Sequence, residues 1–436
     1  MTGGSGQQLA GDVTTITAFE LPLPTPPAGV ALAGFLPVRQ WDGTGGGLSA
    51  SFLMVEQGDG QTIVLVAVDT LFLDDGFQAL LQQRLSKNIS IVLVASHTHF
   101  APALAKSVQS LGSVDEEYYQ AVLACIAKAI MTGTGPSSAY IGHFTAPTNM
   151  TVNRRREGWM IDYSALRRGR INFAKGISLA ENPDGIVDHN LYGVSFRDAD
   201  GNPVACIWSL AAHASFARGY EAISPSFPGH VRAFLKDRFG PEFVSIFVPG
   251  LAGSAVPNSV PKRFTQMTNR ERLMRVLPFH HATKPLDPDG YVRWSRRVEE
   301  LIAELLLFSH CMPIEGMRVH QGTARSAPIF KGRQQKDMSL DLNAIRFGDE
   351  IEIIISNGEL LGEWKPLLDQ LPAKNGSRIV SGYGAGTCLY VPPASEIRRG
   401  GYEVDRFQTA FGLKGDFVEA IDKNVLTAFK QLLSSL

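Results

Sequence analysis

Ile89-Ser-Ile-Val-Leu-Val-Ala-Ser-His-Thr-His99, continuing into Phe100-Ala-Pro-Ala103, is the stretch on which the reading of this chain turns. Ile91 to Ala95 is an unbroken apolar run, the pattern of a strand buried on both faces. It stops abruptly in Ser96-His97-Thr98-His99. Along an extended backbone residues i and i+2 share a face, so His97 and His99 lean the same way at the strand's mouth. In open α/β sheets ligands bind at that mouth. Paired imidazoles suit a metal, although one strand end supplies at most half of a zinc site. The same pair is equally compatible with an ordinary strand-to-loop corner.

Upstream, Thr62 to Asp69 is a second apolar strand, and Asp74 to Leu85 between the two has helical spacing. Strand, helix, strand at this separation reads as a βαβ unit with a parallel pair. Downstream, Glu116 to Ile130 is a helix with Tyr119, Val122, Leu123 and Ile126 on one face. Asp198-Ala-Asp-Gly201 is a hairpin turn between strands at 190–197 and 203–210. The fold class expected is α/β, with a mixed, largely parallel central sheet flanked by helices and a metal site at the strand ends.

Other strands also end in polar side chains. Val204 to Leu210 runs into Ala211-Ala-His213, and Ile351 to Ser356 into Asn357-Gly-Glu359. A lone histidine after an apolar run is more often a hydrogen-bonded core residue than a ligand, so the value of His213 lies in repeating the context of His97. Phe243 to Val248 leads into a loop of small residues and glycines, Pro249 to Asn258, where backbone can approach a ligand closely. Arg154-Arg-Arg156 is by default a solvated run; beside a cleft, guanidinium forks hold anionic or polar groups. Two histidines and a carboxylate with a fourth position partly open form a recurrent catalytic zinc set.

Composition bounds the function. The 436 residues are 44% hydrophobic and 19% charged, as in soluble globular proteins. A net charge of -1 gives no support for nucleic-acid binding or for a basic membrane-docking surface. Cys125, Cys206, Cys311 and Cys388 are widely spaced and read as core residues, not a disulfide framework. No apolar run is long enough to span a bilayer, and the first residues lack a secretory pattern, so a cytoplasmic location is expected. Residues 1–28 read as an arm or edge segment, 29–436 as a single catalytic domain, 261–290 as a lid, 360–371 as a helix and 417–436 as a terminal helix.

Taken in order, these pieces resemble the neutral, non-lysosomal ceramidase family. Ser96-His-Thr-His99 matches its SHTH signature, Asn153-Arg154 its Asn-Arg pair, and Ala212-His213 its second zinc histidine. Asn357-Gly-Glu359 is similar to its Pro-Gly-Glu, and Tyr390 and Tyr402 keep the separation of its two active-site tyrosines. The resemblance spans roughly residues 30 to 405. It implies one Zn2+ per chain held by His97, His213, Glu359 and Tyr390, with Tyr383 an alternative ligand if the loop register slips. His99, Arg154 and Tyr402 would be catalytic; Asn153, Gly253, Ser254, Asn258 and Tyr383 would line the substrate. The implied chemistry is attack of zinc-bound hydroxide on an N-acyl amide, zinc lowering the pKa of water to about 7. The substrate would be a small-molecule or lipid-like amide, with an ester or lactone hydrolase, or a non-catalytic ligand-binding relative, as the alternatives. The chain departs from the family at Val256, where a serine is expected, and in stopping at Leu436 without the family's immunoglobulin-like domain.

Overall fold

The apolar runs become strands covered on both sides by two different kinds of layer. The computed structural model describes residues 9–436 apart from 162–168, 171, 218, 260–264, 266, 270–271, 273–286, 334 and 373–375. In chain order come β1 (Leu9–Pro22), β2 (Ser49–Gln57), β3 (Thr62–Val68), α1 (Asp75–Gln83), β4 (Ile89–Ala95) and α2 (Glu116–Thr132). Next are β5 (Tyr140–Pro147), β6 (Thr151–Ile161), β7 (Phe173–Asn182), β8 (Asn190–Arg197) and β9 (Pro203–Ser209). They are followed by α3 (Ser226–Phe239), β10 (Val244–Phe247), β11 (Ala255–Pro257) and α4 (Pro288–Phe308). The last are β12 (Cys311–Pro313), β13 (Arg318–Gly332), β14 (Met338–Phe347), β15 (Ile351–Ser356), β16 (Glu359–Leu360), β17 (Ser377–Ser381), β18 (Tyr390–Val391) and α5 (Ile421–Ser435).

A nine-stranded sheet runs β17-β15-β14-β13-β1-β2-β3-β4, with the short strand Gly415–Phe417 added to β13. A five-stranded sheet, β10-β9-β8-β5-β12, lies against one face of it. Val13, Ile16, Leu53, Leu65, Val92 and Val94 of the first sheet meet Ile141, Val194, Ile207 and Ile246 of the second. The other face of the large sheet is covered by α1 and α2 through Phe77, Tyr119, Val122 and Ile126, and further along by α5 through Val425, Phe429 and Leu432. Helices α3 and α4 cover the outside of the smaller sheet through Phe227, Val231, Trp294 and Val298. The result is helices, sheet, sheet, helices. In β4, Val92 and Val94 face the second sheet while Ile91, Leu93 and Ala95 face the helices, which is why the run is apolar without alternation. Each such side chain fully buried contributes about 1.5–3 kcal/mol of transfer free energy.

The mixed α/β class and the βαβ unit are present: β3 and β4 pair in parallel from Thr62 opposite Ile89 to Val68 opposite Ala95. The hairpin at Asp198 is present too, joining the antiparallel β8 and β9. The balance of the sheet differs from the expectation. Within the large sheet only β3–β4 and β15–β17 are parallel; the other pairs are antiparallel. Burial on both faces usually marks parallel strands, but here a second sheet supplies the cover that helices supply elsewhere.

The N-terminal segment is also not an arm. Residues 9–22 form β1, an inner strand bonded on one side to β2 and on the other to β13. Its glycine, threonines and proline concealed Val13, Ile16, Ala18 and Phe19, all buried. The helix expected at 360–371 shrinks to a 3-10 turn at Gly362–Trp364 and one α-turn at Lys365–Leu368. Most of 261–290, the expected lid, lies outside the described residues. Among the described residues no helix is long and apolar enough to cross a membrane. All four cysteines are free.

Candidate metal centre

Strand β4 ends at Ala95, and the chain then turns sharply: His97 has φ +59°, a left-handed conformation sparsely populated by non-glycine residues. His97 and His99 therefore converge through a strained turn and not, as expected, through strand alternation. Such strain persists where surrounding structure over-determines it. His213 follows β9, and its backbone N–H donates to the Ala255 carbonyl at 3.1 Å. Glu359 opens β16, which pairs in parallel with β18 so that Glu359 lies opposite Tyr390.

The three imidazoles are oriented from behind. His97 Nδ1 donates to the Leu71 carbonyl at 3.0 Å, His213 Nδ1 to the Ala252 carbonyl at 2.7 Å, and His99 Nδ1 to the Gly34 carbonyl at 3.1 Å. A carbonyl only accepts, so each Nδ1 carries the ring proton and each Nε2 presents a lone pair. His97 Nε2 stands 3.3 Å from His213 Nε2. Glu359 Oε2 is 3.4 Å from the first and 3.7 Å from the second. Donor atoms of His97, His99 and His213 all lie within 4.8 Å of one another.

His97, His213 and Glu359 are 2%, 1% and 0% exposed. Neither oxygen of Glu359 accepts a well-formed hydrogen bond, and His99 Nε2 has no partner. Burial, then the neighbouring His99, holds His97 well below its ordinary pKa; burial and Arg154 do the same to His213. Burial brings His99 down to about 3 and pushes Glu359 up to about 8. Two buried imidazole lone pairs facing a carboxyl that burial keeps from ionising form a donor set that a cation would complete. Donors about 2.0–2.2 Å from a tetrahedral zinc stand about 3.3–3.6 Å apart, which matches the spacings here.

Two phenols flank this set. Tyr383 packs its ring 4.5 Å from that of His97, and Tyr390 receives a hydrogen bond from Arg154 Nη2 at 3.0 Å. Burial, then Glu359, raises the pKa of both hydroxyls well above the ordinary value. Tyr402 stacks edge-on to Tyr390 with centroids 5.9 Å apart. Arg154 is further held by Glu403 Oε1 at 2.9 Å and the Gly253 carbonyl at 2.9 Å.

The default reading of the arginine run as solvated is corrected for two of its three members. Arg154 and Arg155 are buried and only Arg156 is exposed. Arg155 reaches Glu396 at 2.9 Å and Glu403 at 2.6 Å, so Glu403 bridges both guanidinium groups. Four of the expected substrate residues sit in supporting positions. Asn153 donates to Glu363 and to the Ile186 carbonyl and accepts from Arg155 N. Ser254 donates to Glu363 at 2.6 Å and accepts from Gly362 N at 2.9 Å. Gly253 packs so closely that a Cβ there would lie 2.9 Å from the Leu360 carbonyl oxygen. Asn258 is exposed and donates to the Asn149 carbonyl at 3.0 Å. Val256 pairs with Val152 across β11 and β6.

Several residues escaped the sequence reading. Arg39, 4% exposed, donates to the His99 and Tyr220 carbonyls and packs between the rings of Phe35, Phe100 and Tyr220 at 4.3, 4.7 and 4.7 Å. Gly34, at φ +109°, would place a Cβ 2.6 Å from His99 Nδ1, so only glycine lets its carbonyl reach the ring. Glu403 and Glu363 complete the set. The one signal for the acids was the arginine run itself, since buried guanidinium groups need buried partners.

Fold and site together define a mixed α/β protein in which His97, His99 and His213, buried beside Glu359 at converging strand ends, could hold a metal ion. The same fold is found in neutral ceramidase from Pseudomonas aeruginosa, with a TM-score of 0.69 at 14% identity over 96% of this chain and 73% of that one. It recurs in a ceramidase complexed with C2, with a TM-score of 0.65 at 13% identity over 96% of this chain and 74% of that one. No family model and no curated protein matches the sequence.

Proposed function

We infer that this chain is a zinc-dependent hydrolase of N-acyl amides, with a ceramide-like or smaller acyl amide as substrate. The observation that carries this reading is the facing pair of lone pairs on His97 and His213, closed off by the unpartnered carboxylate of Glu359. The solved structures that share the fold are named as ceramidases, which directs the reading to amides.

His97, His213 and Glu359, with Tyr390 beside them, would hold the metal. When bound, zinc supplies a Lewis acid and acidifies a water to a pKa of about 7. The chain's own residues do the rest. His99 starts neutral, its Nδ1 proton fixed on Gly34, so Nε2 accepts a proton from the attacking water and returns it to the departing amine. Arg154 keeps its charge in the buried site through Glu403 and, with Tyr402, would meet the oxygen of the substrate carbonyl. Ser254, tied to Glu363, is not a nucleophile in this scheme.

The test pairs metal analysis with turnover of N-acyl amides and matched esters, with and without chelator. About one zinc per chain and chelator-sensitive release of fatty acid from an amide are expected. Turnover of esters alone would replace the amidase reading with an esterase; turnover indifferent to chelator would remove the metal from it.

A further inference from the structure

The hairpin of β6 and β7 leaves the body of the protein after Arg155. Residues 151–155 are buried, whereas Arg156, Glu157 and Trp159 on the outgoing strand and Phe173, Ala174 and Lys175 on the return are exposed. Trp159 lies directly opposite Lys175, and alternation puts Phe173 on the same face as Lys175. The other face carries the cross-strand pairs Arg156–Ser178, Gly158–Gly176 and Met160–Ala174. Trp159 is 50% exposed and Phe173 45%. An isolated two-stranded ribbon is marginal in water, and two large, half-exposed rings on one face of it are suited to apolar cover. Their surroundings are basic. Arg156, Arg170 and Lys175 are exposed, and from Arg156 to Lys175 the sequence has five basic and two acidic residues. A net charge of -1 for the whole chain conceals this local excess.

We propose that this hairpin docks on an anionic phospholipid bilayer, with Trp159 and Phe173 entering at headgroup level and Arg156, Arg170 and Lys175 facing the lipid phosphates. Aromatic rings settle at the boundary between headgroups and acyl chains, and exposed Lys and Arg are drawn to anionic leaflets. A second copy of the chain would bring the same positive charge and be repelled. The rings stand on a narrow two-stranded ribbon, which fits a soft layered surface better than a folded partner. Strand β6 also carries Arg154, five residues before Trp159, or about 17 Å of extended chain. Docking would therefore hold the metal centre close to the bilayer. The proposal does not depend on the reaction inferred above, because binding is read without turnover.

The experiment sediments the full-length protein with vesicles of phosphatidylcholine alone or mixed with phosphatidylglycerol, at low and physiological salt. Binding to the anionic vesicles is expected to exceed that to neutral ones and to weaken as salt rises. It should fall about tenfold in Trp159→Ala/Phe173→Ala, with the thermal midpoint unchanged because neither ring belongs to the core. A blue shift of tryptophan emission on binding should vanish in Trp159→Phe. Equal partition into both vesicles, no partition at all, or undiminished binding by the double variant would overturn the proposal. Concentration-dependent self-association abolished by that variant would overturn it too, assigning the face to a second copy.

Discussion

His97 Nε2 lies 3.3 Å from His213 Nε2, and the proton of each ring is already directed at a carbonyl, of Leu71 and of Ala252. Both lone pairs face the Glu359 carboxyl, whose Oε2 stands 3.4 Å from the first and 3.7 Å from the second. His97→Ala should therefore lower bound zinc from about one per chain to less than a tenth, by elemental analysis, while leaving the metal-free thermal midpoint unchanged or higher. Full retention of zinc would show that the metal lies elsewhere.

Gly34→Ala separates proton transfer from metal binding. The new methyl would lie 2.6 Å from His99 Nδ1 at a backbone φ of +109°, so the ring must move. The expected outcome is unchanged zinc content, a loss of about 1–3 kcal/mol in denaturant unfolding, and a fall in kcat larger than any change in KM. Loss of zinc in this variant would make His99 a ligand.

Glu403 joins Arg154 to Arg155 and is fully buried. Glu403→Ala leaves two guanidinium groups short of their shared carboxylate and should destabilise the protein by about 3–5 kcal/mol. Combining it with Arg155→Met should restore part of that loss, because the second change removes one of the orphaned charges. Strict additivity in urea melts would disprove the coupling.

Asp188 gives a dependence on pH. Burial raises its carboxyl pKa above the ordinary value, although Lys365 opposes this. Below the unfolded value, about 3.9, the group is neutral in both states and costs nothing; as pH rises through the higher folded value, stability is lost. Asp188→Asn should thus melt above the wild type at pH 7, and the gap should close near pH 4. A constant gap across that range would rule out ionisation as the cause.

Much of the centre was legible because its residues end apolar strands. His97, His213 and Glu359 each follow a run whose burial is visible in the sequence, and the structure brings all three together. Strand direction was not legible: in β2 and β3 the alternate residues face helices and a second sheet, and burial on both faces looks the same whichever way the partner runs. Arg39, behind His99, and Arg155 with Glu403, behind Arg154, were not legible as supports, because their roles come from partners far away in the chain. Arg155 and Glu403 are separated by 248 positions, and no local pattern encodes such a pairing.

The inner position of β1 constrains how the molecule is made. Its first residues, Leu9 to Asp12, must wait for residues 318–321, about 300 positions further along the chain, before one edge is satisfied. Until then the growing chain presents an unpaired strand edge, and contacts this distant in sequence form slowly. Nascent protein should therefore lean on chaperones until residues 318–321 have emerged, and the sheet that supports the histidines should close only after that.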